Sequence, residues 1–147
     1  MYTTFLTMHA WVRWVALVAG VGATIWALRR DEGRADAWGL VLTIALDVQL
    51  ILGVLLYFVV SPNMLVVRDH FGEAMRTPGL RFWAVEHAAA MLLAVVLAHV
   101  GRVLGRKATS LQAKRSRQLI GYGLATLLMV VGMPWPGRPG GRPLFRI

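Results

Sequence analysis

The chain contains no cysteine. This excludes disulfides, thiolate-held iron–sulfur clusters, zinc–thiolate sites and c-type haem attachment, so any bound metal must rely on histidine, methionine or carboxylate. Acidic side chains are also scarce, seven against sixteen Lys and Arg. No internal repeat, low-complexity segment or phosphate-cradling glycine loop is present. The formal charge of +9 would suggest nucleic acid if it formed one basic face. Instead the basic residues stand at the ends of apolar runs, where they act as interfacial anchors, so no nucleic-acid partner is expected.

Apolar residues are abundant: 57% of 147 residues, with a mean hydropathy of +0.59. A bilayer asks for roughly 20 residues per helix, and four runs approach that length, at about 5–28, 38–60, 81–104 and 119–133. The expected fold is all-α, a single integral membrane domain built as an up-down bundle of four transmembrane helices. The opening "MYTTFLTMHAWVRW" lacks a basic n-region and leads into too long an apolar run for a secretory signal, so it reads as the first membrane helix. Little chain remains for a soluble catalytic domain, and an electron-transfer or accessory subunit is expected rather than a stand-alone enzyme.

Charge asymmetry gives an orientation. "RRDEGR" and "GRKATSLQAKRSR", with Arg102, place nine Lys/Arg on one side, against six on the other at Arg68, Arg76, Arg81, Arg138, Arg142 and Arg146. The positive-inside rule then puts both termini and the 61–80 loop outside the cytoplasm. In that loop Met64, Val67, Phe71 and Met75 fall at helical spacing, which suits a short interfacial helix, either a lid or a plain lipid-contacting connection, the second being favoured. His70 has no assigned task. The 134–147 tail, with "GRPGGRP", cannot continue a helix; its Trp, Pro and Arg suit an interfacial anchor or a docking strip.

Seven polar groups lie within the apolar runs: His9 and Arg13, Asp47 and Gln49, and Glu86, His87 and His99. An Asp or Arg at a helix centre costs roughly 2.5–3.5 kcal/mol on insertion scales, so such groups face the interior and find partners. His9 is about one turn inside the outer end of its helix and His87 between one and two, at about 1.5 Å per residue; the two are level. His99, near the cytoplasmic end and roughly 120° around the helix from His87 at about 100° per residue, reads as an interfacial residue. Helical steps from His9 reach Arg13, Ala16, Gly20 and Ala23; from His87 they reach Ala84, Ala88, Met91, Ala94, Ala98 and Gly101. Small-residue rows let helices approach closely, and rows headed by imidazoles also leave a slot for a flat macrocycle. Arg13, Arg76 and Arg81 would offer cations to its propionates. An Arg13 pair with Asp47 or Glu86 explains three of these residues without any cofactor.

The strings "HAWVRWVAL", "DVQLILGVLLYFVVSP", "MRTPGLRFWAVEHAAAMLLAVVLAHVGR" and "MPWPGRP...RPLFR" resemble those of small bacterial four-helix membrane proteins labelled cytochrome b or cytochrome b561-like. The resemblance spans nearly the whole chain. It implies His9 and His87 as axial ligands of a haem b, with Arg13 and Glu86 as neighbours, in a bacterial inner membrane. The b561 pattern has two pairs of intramembrane histidines, whereas one pair fits here, so one haem is expected. Three functions follow. The first is a haem held by His9 and His87 near the outer face, exchanging electrons with a quinone or a periplasmic partner within a larger respiratory assembly. The second is a non-haem accessory subunit of a respiratory or photosynthetic complex, and the third a copper site of His9, His87 and methionines such as Met8 and Met91.

Overall fold

Helix starts in this chain are set by caps as much as by hydrophobicity. In the computed structural model, which describes residues 1–145, α1 spans Tyr2–Leu28 and α2 Glu32–Leu55. Arg146, one of the cations counted above, lies outside the described residues, as does the end of the tail. Arg30 turns the chain between α1 and α2 with φ 62°. Asp31 then caps α2, its carboxylate accepting from Arg34 N–H at 3.0 Å, with Glu32 in the first turn favoured by the helix dipole. The helix therefore begins well before residue 38, through polar "EGRADA".

A π-helical turn, Leu56–Val60, extends α2. Three short helices follow: α3 (Pro62–Asp69), α4 (Phe71–Arg76) and α5 (Pro78–Arg81). A second π-helical turn, Phe82–Glu86, leads into α6 (His87–Arg106), and α7 covers Leu111–Gly132. Ser110 caps α7 by accepting from Ala113 N–H at 3.2 Å, again ahead of the apolar run. No strand occurs among the described residues. The stretches Tyr2–Leu28, Glu32–Val60 and Pro78–Arg106 are long and apolar enough to cross a membrane. α7 has comparable length but opens with the polar "LQAKRSRQ".

The 61–80 segment differs from the single surface helix expected. The chain breaks at His70 (φ −134°), so Phe71 leaves the shared face and is exposed while Met64, Val67 and Ala74 are buried. They pack with Ala84 against Tyr57, Met75 and Leu80, and this part of the segment is a cover on the helix ends. Tyr57 Oη donates to the Ala84 carbonyl at 2.8 Å, linking the two π-helical turns.

α1 packs on α2 and α7, and α6 on α7 and, over less of its length, on α2. The small-residue rows are the core: Ala16, Ala19 and Ala23 of α1 meet Ala94 and Ala98 of α6, Ala125 of α7, and Leu42, Leu46 and Tyr122. In a lipid solvent such rows associate through close van der Waals contact. Gly101 shows how close: a Cβ there would lie 2.7 Å from Gly121 Cα and 3.2 Å from the Arg117 carbonyl, both backbone atoms. At the end of the helices opposite residues 61–80, Asp36 of α2 accepts from Lys114 Nζ (2.5 Å) and Gln118 Nε2 (2.6 Å), while Arg102 Nη1 donates to its carbonyl (3.1 Å). Two cations read as topology signals are thus also clasps joining α2, α6 and α7.

Substituting Gly101 by Val forces two backbones apart, and the expected loss is about 1–3 kcal/mol. Thermal unfolding in detergent micelles, followed by helical circular dichroism, checks this; a matched Gly72→Val change, at a position with open space around it, should cost far less.

Candidate functional site

The alanine rows close the bundle only over part of its length. Below Ala16 of α1 and Ala94 of α6 the buried rows share one core with residues of α2 and α7; above, toward residues 61–80, the side chains no longer fill the gap. A chamber of about 420 Å³ opens there, within the roughly 300–1,000 Å³ usual for cofactor and ligand pockets. His9, Arg13, Gln49, His87, Met91 and Arg142 all line it. A small-residue row can pack helices or leave a slot, and here it does each at a different height.

The expected pairing of His9 with His87 is what the fold produces. Their ring centroids lie 6.3 Å apart at an interplanar angle of 71°. A metal held by one nitrogen of each ring, at about 2 Å per bond, leaves the centroids at most about 6 Å apart. His87 is fixed by its Nδ1–H, which donates to the Gly132 carbonyl at 2.8 Å. A carbonyl only accepts, so Nε2 is left with its lone pair, the tautomer and orientation that a ligating imidazole needs. Trp83 and Phe82, delivered by the π-helical turn before α6, flank the ring at 5.2 and 5.8 Å.

Buried polar groups normally find partners. Around this chamber three do not: His9 Nδ1, Arg13 Nε and Gln49 Oε1 are buried with no hydrogen-bond partner among the described residues. Each belongs to a chamber-lining residue. The residues present therefore fit a flat, largely apolar group that carries a metal and an anionic edge.

The cations at the mouth are not the expected set. Arg13 and Arg142 line the chamber, whereas Arg81 donates to Glu86 (2.8 Å) at the half-exposed edge. The anticipated Arg13–Asp47 and Arg13–Glu86 pairs do not form. Glu86 is taken by Arg81, five residues away, and Asp47 faces His99, Oδ1 to Nε2 at 3.3 Å. Arg13 instead donates from Nη2 to the Leu144 carbonyl (2.5 Å), joined there by Trp14 Nε1 (3.1 Å). The tail thus returns to its own first helix. Glycines at φ 85° and 75° (Gly137 and Gly140) make its turns, Phe145 stacks on Trp14 at 5.4 Å, and Arg142 lies over Trp83 at 4.5 Å while donating to Tyr2 Oη (3.2 Å).

Arg142 and Gln49 are functional candidates that sequence reasoning did not single out for the site. Arg142 sits in a Pro/Gly-rich segment with no periodicity, and its position follows only from the return of the tail. Met8 is half-exposed and does not line the chamber; Met64, Met91, Met129 and Met133 do. No group of three His, Asp or Glu able to hold a metal occurs among the described residues, so a bare ion would rest on two imidazoles and thioethers. His70 is exposed and outside the chamber.

Removing the Arg13 guanidinium should free the tail. A lost charge-assisted hydrogen bond of about 1.5 kcal/mol corresponds to roughly tenfold faster opening, so Arg13→Ala should raise deuterium uptake at the amide of Arg142, which is bonded to the Pro134 carbonyl, by about that factor. Comparison with protein-family models, curated proteins and solved structures yields no match for this chain.

Proposed function

We infer that this chain is a small cytochrome b-like integral membrane protein that holds one haem b between His9 and His87. It would serve electron transfer within a larger respiratory assembly of the bacterial inner membrane, with a quinone or a protein on the outer side as exchange partner. The observation that carries this reading is the imidazole pair itself: two level rings 6.3 Å apart, one locked by Gly132, facing each other in a chamber lined by unpartnered polar atoms. Bound haem would supply a one-electron couple. His9 and His87 would hold the haem, the Gly132 carbonyl would set the His87 tautomer, and Arg13 and Arg142 would neutralise carboxylates. The cover formed by α3 and α4 keeps water from the apolar walls.

In this reading α7 is the fourth transmembrane helix of an up-down bundle, with both termini and residues 61–80 on the periplasmic side. The contacts of the tail support a common side. Arg142 meets Tyr2, Leu144 meets Arg13 and Trp14, and Gly140 lies against Phe82 and Trp83. A second reading, copper held by His9, His87 and Met91, is favoured by the thioethers of Met64, Met91, Met129 and Met133 around the same chamber.

Reduced-minus-oxidised spectra and a pyridine haemochrome assay on detergent-purified protein are expected to show b-type haem, with His9→Ala and His87→Ala each losing most of it at unchanged helix content. Well-folded wild type that neither carries nor takes up haem would sink the haem reading. Copper in the metal analysis of the same sample would then favour the second. For topology, a C-terminal alkaline phosphatase fusion is expected to be active and a C-terminal cytoplasmic fluorescent reporter dark; the reverse pattern would invert the orientation.

A further inference from the structure

The nine cations at the α1–α2 and α6–α7 connections are not alike in their surroundings. Five find partners within the chain: Arg29 and Arg34 lie over Trp26, Arg102 and Lys114 reach Asp36, and Arg117 donates to the Leu104 carbonyl. The side chains of the other four, Arg30, Arg106, Lys107 and Arg115, have no hydrogen-bond or ion-pair partner among the described residues. Arg30 and Arg115 line one groove of about 400 Å³ between the α1–α2 turn and the start of α7, together with Glu32, Leu111 and Gln112. The Glu32 carboxylate is likewise without a partner among the described residues. Two cations and one anion therefore share a groove, and none of them is engaged by another.

Arg30 also holds a φ of 62°, a left-handed conformation that glycine adopts freely and a long side chain does not. A connecting turn asks only for that conformation, and keeping a cation there favours a use for its side chain. Height decides what can reach it. The Tyr2–Leu28 stretch ends two residues before Arg30 and the Glu32–Val60 stretch begins two residues after it, so the groove lies where two spans leave the apolar layer. Leu111 in the groove and Leu28 on the turn of α1 that leads to Arg30 are both exposed. Guanidinium on the walls with leucine beside it fits an amphiphile, a phosphodiester whose acyl chains continue into the lipid. Guanidinium groups hold phosphate oxygens through paired N–H donors. Glu32 narrows the class, because a carboxylate there repels a purely anionic headgroup and attracts an ammonium.

We propose that the groove lined by Arg30, Glu32 and Arg115 binds the headgroup of a phosphatidylethanolamine-type lipid, with the two guanidinium groups on the phosphate and the carboxylate on the ammonium. The proposal rests on α1 and α2 crossing the bilayer, as in the proposed function, and not on any cofactor. Haem spectra and lipid retention therefore fail separately.

Native mass spectrometry of the delipidated chain, offered an equal mixture of phosphatidylethanolamine and phosphatidylglycerol in a neutral detergent, reads affinity and class together. Wild type is expected to retain one phosphatidylethanolamine in preference. Arg30→Asn combined with Arg115→Gln, the first chosen because asparagine tolerates left-handed backbone, should weaken retention about tenfold, or about 1.4 kcal/mol, at unchanged helix content. Glu32→Gln should remove the preference over phosphatidylglycerol, and Arg106→Gln, off the groove, should change neither. No retained lipid, wild-type retention blind to the headgroup, equal retention by the double variant, or the same loss from Arg106→Gln would overturn the proposal. So would displacement of the lipid by inorganic phosphate at matching concentration, which would assign the groove to a soluble anion.

Discussion

The distance between α6 and α7 governs the rest of the architecture. Gly101 and Gly121 bring the two backbones into direct contact, and the same closeness at the other end of the pair puts the Gly132 carbonyl within hydrogen-bond reach of His87. A Cβ at Gly132 would meet Met91 Cε at 2.7 Å and Ala90 Cβ at 2.8 Å, so the position has no room for another residue. Once α6 is held there, the alanine rows of α1 and α6 share one core with α2 and α7 lower in the bundle, and the imidazoles lie 6.3 Å apart above it. The chamber is the space that remains where the tightly packed lower halves give way to the π-helical turns at Leu56–Val60 and Phe82–Glu86, with no side chains to fill the gap.

Polar groups then sort by height. Beside the cover, Arg81 holds Glu86; farther down, Asp47 meets His99 on the outward face; at the opposite end Asp36 gathers Lys114, Gln118 and Arg102. Each charged group in these sets meets an opposite charge or a hydrogen-bonding partner near its own level, as groups with little access to water require. The chamber departs from this order, with three buried polar atoms lacking partners. Two further buried atoms without a partner among the described residues, Gln118 Oε1 and Tyr122 Oη, lie away from the chamber; the chamber is where such atoms gather around two imidazoles.

Much of this was legible in the residues. Period and length revealed the long helices, and depth counting placed His9 level with His87. The rows from Ala16 to Ala23 and from Ala94 to Gly101 are core. Helix starts were not legible from hydrophobicity, since Asp31 and Ser110 begin helices through polar turns. The ion-pair partners were also missed, because counting at a uniform 3.6 residues per turn ignores the π-helical turn at Phe82–Glu86, and because nothing local says that Arg81 will reach Glu86. The role of Arg142 was hidden most deeply. It depends on two left-handed glycines and a carbonyl at Leu144, none of which leaves a periodic trace.

The return of the tail has a consequence for biogenesis. Arg142 and Leu144 emerge from the ribosome after every residue of α1 to α7, so one wall of the chamber is unmade while the helices are already being inserted. Arg13, whose guanidinium ends up on the Leu144 carbonyl, therefore waits for the last-made wall of the chamber before it has its partner.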